Sequence, residues 1–140
     1  MRAISVETAG LLASVGLGIV HIVLASHSAS LQRGYRWSAG ARDEPLPVLT
    51  GIAGRLGRAC ANYLETFPFF AALVLAVVAN EAQSAWSALG VCLYLAGRLV
   101  YLPLYAFGVF LVRSLVWNVA LAGIVLLAVA LVVSSSGNAA

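Results

Sequence analysis

Arg55, Arg58, Asn62 and Glu65 stand at the head of a long apolar run, at helical spacings of three and four. At about 100° per residue, these spacings hold all four side chains within roughly a quarter of a helix circumference. Each charge on such a stripe costs at least about 2.5 kcal/mol if shown to lipid, so the stripe must face protein, water or a polar ligand. Arg98, Tyr101 and Tyr105 repeat the pattern further along, again on one stripe, and Arg113 follows them. Together these residues suit a zwitterionic or anionic peptide-like ligand. Guanidiniums would hold its carboxylates through paired hydrogen bonds, Glu65 would accept from an ammonium, and Asn62 or a tyrosine would orient its amides. Arg113 would stabilise a thiolate by lowering the thiol pKa. A simpler account also stands for part of the set: Tyr101 and Tyr105 as an interfacial aromatic belt, and Arg113 as a cation reaching to the headgroups.

The elements that must position these residues are membrane spans. The chain has 140 residues, 62% of them hydrophobic and 9% charged, with a mean hydropathy of +0.99. A soluble domain carries about 25% charged residues, so the composition reads as one integral membrane domain. All eight basic residues are Arg. They lie beside apolar spans rather than in a basic patch, which argues against nucleic-acid binding despite the net charge of +3. Glu7 interrupts the first residues and the run after it is of spanning length, which reads as a retained first span rather than a cleaved leader. Cys60 and Cys92 sit in apolar runs at no redox or metal spacing and are expected to be buried structural thiols. His21 and His27 fall on different helix faces, which disfavours joint metal ligation. His21 reads as a packed, hydrogen-bonded core residue, and no metal site is expected.

Four runs reach the roughly 20 residues that cross a bilayer, at about residues 6–26, 58–79, 85–107 and 109–133. Asn80 to Ser84 forms a polar turn between the second and third runs. Gly108 is the break between the third and fourth, Pro103 is expected to kink the third, and the tail from Ser134 to Asn138 is expected to fray. The one long loop, about 27–57, holds Arg33, Arg36, Arg42, Asp43, Glu44, Pro45 and Pro47. Its Arg content places it in the cytoplasm with both termini outside. That topology brings the stripe of span two, Arg98 and Arg113 to one membrane depth.

The motif Arg58-x-x-x-Asn62-x-x-Glu65-x-x-Pro68, followed by Arg98-x-x-Tyr101-x-x-x-Tyr105, resembles the MAPEG superfamily, the membrane-associated proteins in eicosanoid and glutathione metabolism. The likeness covers nearly the whole chain in span count and loop placement. The stretches Arg42-Asp43-Glu44-Pro45 and Glu65-Thr66-Phe67-Pro68-Phe69 resemble its bacterial branch. The resemblance implies a homotrimer of four-helix protomers with glutathione held between subunits as co-substrate. By position, Arg58, Asn62, Glu65, Arg98, Tyr101 and Tyr105 match the family's glutathione-binding residues, and Arg113 matches the Arg held to stabilise the thiolate. Thr66 stands where several of the enzymes carry Tyr, and Trp117 where the prostaglandin synthase branch has one.

The expectation is therefore an all-α, integral membrane four-helix bundle, homotrimeric, in a bacterial inner membrane. Its expected function is to bind glutathione and act as a glutathione transferase or peroxidase on lipophilic electrophiles, with the bilayer and lipophilic small molecules as partners. The alternative from another class is a non-catalytic lipid-binding or scaffold subunit of a membrane complex. A small transporter on the same polar seam is the third reading, weakened by the lack of internal repeats.

Overall fold

A computed structural model describes residues 4–41, 45 and 48–137. The described residues form helices and connecting turns with no strand: α1 (Val6–Arg33), α2 (Tyr35–Ala39), α3 (Gly51–Ala79), α4 (Ala85–Phe107) and α5 (Val112–Gly137). Arg42, Asp43, Glu44 and Pro47 of the expected loop, and Asn138 of the tail, lie outside the described residues. All helices but α2 are long and apolar enough to cross a membrane. The protein is an all-α integral membrane four-helix domain.

Local chemistry sets the helix ends. The Ser5 hydroxyl accepts from the Thr8 N–H to cap α1. That helix then runs past the apolar stretch through Ser28, Ser30 and Gln32, because nothing before Gly34 forces it to stop. Gly34 ends it at φ +90°, a conformation that strains residues with a Cβ. The expected loop of 27–57 therefore contains the end of α1, all of α2 and the start of α3. Gln32 ties the two long helices together here: its Nε2 donates to Thr50 Oγ1 (2.7 Å) and its Oε1 accepts from the Thr50 N–H (3.1 Å). Ser84 and Ser87 form a reciprocal capping box at the start of α4. Gly108, at φ +75°, closes α4. Leu111 takes φ +62°, so α5 starts at Val112 rather than at Val109. Pro68 and Pro103 both lie inside continuous helices.

The central pair is α3 and α4. Helix α1 packs against both on one side and α5 against both on the other, while α1 and α5 do not meet. Phe70, Val74 and Val77 of α3 meet Val91 and Tyr94 of α4 and Leu127 of α5 in the core. Phe70 stacks on Tyr94 at 3.9 Å between ring centroids. Lipid offers no hydrophobic drive between helices, so close approach and dispersion hold them. Small residues allow that approach: a Cβ on Gly123 would lie 2.5 Å from the Gly90 carbonyl oxygen, and one on Gly97 would lie 3.0 Å from Ala120 Cβ. At the far end, the buried Glu7 carboxylate accepts from Ser87 Oγ at 2.6 Å and fastens α1 to the head of α4. One thiol departs from expectation. Cys60 is buried, but Cys92 is exposed on the outside of α4, because its neighbours Val91 and Tyr94 take the inward face of the helix.

The Gly90–Gly123 crossing leaves no room for a side chain. Gly123→Val is expected to destabilise the α4–α5 pair by roughly 1–3 kcal/mol, read as a lower thermal midpoint of the detergent-solubilised protein. An unchanged midpoint would show that the two helices are free to move apart.

Candidate functional site

Arg98 lies on the face of α4 that meets α3 and is 1% exposed. The facing turns of α3 present Asn62 and Thr66, four residues apart and therefore on one face. Arg98 Nη1 donates to Asn62 Oδ1 at 2.8 Å, and Nη2 donates to Thr66 Oγ1. The Thr66 hydroxyl donates back to the Tyr63 carbonyl at 3.2 Å, which leaves its lone pairs for the guanidinium. The cation also lies over the rings of Tyr94 (5.6 Å) and Tyr101 (5.5 Å). The stack continues from Tyr101 to Tyr105 at 5.4 Å and from Tyr105 to the Arg113 guanidinium at 4.8 Å. Two cations and three phenol rings thus follow one another along the α3–α4–α5 seam, where each cation gains the attraction of a ring face.

This seam opens into a cavity of about 280 Å³ lined by Asn62, Tyr101, Tyr105, Arg113, Ser114 and Trp117. Asn62, Tyr101, Tyr105 and Arg113, all expected at the site, line it together. Arg98 stands behind them with no open surface. It acts on the cavity through Asn62: an Arg offers only donors, so it fixes the Asn62 carbonyl toward itself and leaves the amide N–H groups as the free end. No lining residue is acidic, so the potential inside is positive and favours an anion. Trp117 Nε1 is a buried donor with no partner among the described residues, which adds a further group able to donate to a ligand.

Arg58 and Glu65 sit apart from this cavity, exposed on the outer face of α3. Glu65 forms no ion pair with an Arg among the described residues. Arg98 turns instead to the neutral oxygens of Asn62 and Thr66, which lie on the face of α3 packed against α4. Arg55 also leaves the stripe, and its Nε donates to the Ala106 carbonyl at 2.7 Å. Three contributors are absent from the set expected on sequence grounds: Ser114, Trp117 as a lining residue, and Thr66 as the acceptor for Arg98. Helical spacing carried a signal for two of them, since Thr66 is four residues after Asn62 and Trp117 four after Arg113.

A second polar layer backs the first. His21, 1% exposed, hydrogen-bonds through Nδ1 with the Leu17 carbonyl at 2.9 Å and stacks on Tyr63 at 4.5 Å. The Tyr63 hydroxyl donates to the Ser14 carbonyl at 2.5 Å. The ring occupies a notch at Gly18, where a Cβ would come within 3.0 Å of it.

A family model described as the MAPEG family matches residues 10–133. The chain belongs to the MAPEG family. No curated protein matches the chain. Within this MAPEG protein, the matched segment contains every residue that lines the cavity and both hydrogen-bond partners of Arg98.

The Arg98 cradle yields a direct check on this geometry. Thr66→Val strips one acceptor from a buried guanidinium and is expected to cost about 1–3 kcal/mol, read as a lower thermal midpoint. Thr66→Ser keeps the oxygen and should stay near wild type. Equal midpoints for the Val and Ser variants would remove Thr66 from the cradle.

Proposed function

We propose that this MAPEG protein binds glutathione in the cavity between α3, α4 and α5 and uses its thiolate against lipophilic electrophiles, as a transferase or peroxidase. The family's members include glutathione transferases and related proteins. One observation carries the reading: Arg113 meets Asn62, Tyr101 and Tyr105 at one cavity that holds no carboxylate. A cation at that position favours the ionised over the neutral thiol. In conjugation, the thiolate sulfur donates its electron pair to an electrophilic carbon and forms the C–S bond, while the leaving group departs with its own pair. The Asn62 amide and the tyrosine hydroxyls are suited to the peptide groups and carboxylates of the tripeptide.

A lipophilic co-substrate has a natural approach. An apolar groove of about 470 Å³, walled by Leu93, Leu121, Ala122, Val125, Leu126 and Val129, runs along α4 and α5. Its polar foot is Asn118, whose Nδ2 donates to the carbonyl of the cavity residue Ser114 at 2.8 Å. The cavity of about 390 Å³ at the other end of the bundle, beside Trp86 and Val133, has no charged lining residue and does not suit this chemistry.

The cavity of one protomer is small for a ligand site, which typically measures about 300–1,000 Å³. Arg58 and Glu65 stand outside it on α3, two intramembrane charges without an ion pair among the described residues. A second copy packed on that face would cover both and enlarge the site, which supports the homotrimer. The orientation that goes with it has the α1–α3 connection and the α4–α5 turn at the cytoplasmic side of a bacterial inner membrane.

Calorimetric titration with glutathione, paired with ultraviolet absorbance of the thiolate, tests the proposal. Arg113→Leu is expected to keep Kd within about threefold and to lower thiolate formation about tenfold or more, the equivalent of roughly one pKa unit or 1.4 kcal/mol. Binding by the wild-type protein without thiolate or conjugate would favour the non-catalytic binding role, and no binding at all would overturn the ligand. Native mass spectrometry in mild detergent should find three copies per particle. A monodisperse monomer that still binds glutathione fully would remove the shared site.

A further inference from the structure

Arg55 does not take part in the cation–ring ladder, yet it reaches the same end of the bundle by another route. Its Nε donates at 2.7 Å to the carbonyl of Ala106, in the last turn of α4. Carbonyls in a last helical turn lack intrahelical donors. The amides of Gly108 and Val109 go to Tyr105 and Leu104 instead, so among the described residues Arg55 supplies the donor that Ala106 needs. Gly108 lies directly beside this guanidinium: a Cβ placed on it would stand 3.7 Å from Arg55 Nη1. The turn that follows is tight and contains Leu111 in the left-handed region at φ +62°, which an L-residue adopts only at a cost. Two residues later comes Arg113, held over the ring of Tyr105. Ala106, which Arg55 holds, thus follows the cavity residue Tyr105 and precedes the turn that leads into α5 and Arg113.

We infer that Arg55 is a positioning residue: by holding the Ala106 carbonyl it fixes the α4–α5 turn so that Arg113 stays registered on Tyr105 at the cavity. A flexible tether would not serve. Backbone hydrogen bonds from Gly108, Val109 and Val112 shape the turn itself, but Phe107, Phe110 and Leu111 are exposed, so these side chains do not anchor it to the rest of the protomer. An Arg suits the task because its charge persists when half-buried and its planar fork is rigid. The effect on thiolate chemistry rests on the glutathione reading proposed above, whereas the effect on Arg113 does not.

The test compares Arg55→Met, which keeps the aliphatic stem and loses the donor, with Arg55→Lys, which restores a cationic donor. Two quantities are followed in the full-length protein in detergent. The first is the rate at which phenylglyoxal modifies Arg113, resolved by mass spectrometry without glutathione. The second is the pH midpoint of thiolate formation at saturating glutathione. Arg55→Met is expected to raise the Arg113 modification rate several-fold and move the thiolate midpoint up by about one pH unit, a tenfold smaller thiolate fraction below it, with Kd for glutathione within about threefold. Arg55→Lys should recover most of both. A residue that only stabilised the fold would lower the thermal midpoint and leave the modification rate and the pH midpoint of the folded fraction unchanged. An unchanged Arg113 rate in folded Arg55→Met overturns the inference whatever glutathione does. A raised rate in a protein whose wild type binds no glutathione upholds the positioning role and removes the glutathione reading alone. If Arg55→Met does not fold, Arg55→Leu, which has no donor for the Ala106 carbonyl, takes its place: a raised Arg113 rate upholds the inference and an unchanged one overturns it.

Discussion

A guanidinium sealed inside a membrane protein must find its partners in the protein, and that demand organises this molecule. Arg98 has almost no open surface, so water and headgroups cannot satisfy it. The chain answers with neutral oxygens from Asn62 and Thr66 and with the faces of Tyr94 and Tyr101. No carboxylate is used. A buried ion pair would have required desolvating two charges rather than one, and a carboxylate here would cancel the positive potential that the cavity keeps. The same contacts lock α3 and α4 in register, because Asn62 and Thr66 must both face one side chain of α4.

The cavity follows from how this cradle meets α5. Tyr101 and Tyr105 carry the ladder outward from Arg98, and Arg113 ends it from the neighbouring helix. The helices reach this geometry because small residues permit close contact at two levels, Gly90 with Gly123 and Gly97 with Ala120. Near the α4–α5 turn the packing thins out and single hydrogen bonds replace it. Individual polar contacts therefore hold the structure at the end where the proposed chemistry would occur. Segments with little burial open most readily, which is why a contact such as that of Arg55 with Ala106 matters to the site.

The outer face of α3 has a different character. Arg58 and Glu65 are exposed there, without an ion pair among the described residues. The inner cradle meets both Nη atoms of Arg98 within one chain, while Arg98 Nε has no hydrogen-bond partner among the described residues. In the homotrimer proposed above, a neighbouring copy would cover the outer face and add surface to a cavity that is small by itself.

Much of this protein is legible in its sequence because helical periodicity is a local property. Four apolar runs, their polar turns, and the grouping of Arg98 with Tyr101 and Tyr105 follow from spacing alone. Spacing also places Arg58, Asn62 and Glu65 on one side of α3. It does not say which of them turns toward α4. That choice depends on the rotation of α3 against its neighbours, set by packing around Phe70, Tyr94 and the glycine contacts. A rotation of a fraction of a turn exchanges one partner for another. Thus Thr66 rather than Glu65 receives Arg98, and Glu65 is left outside. Arg55 shows the same division at longer range. Its charge and helical phase are written in the sequence, but its acceptor is a backbone carbonyl 51 positions away. A carbonyl is present at every residue, so only the tertiary fold could single out that of Ala106.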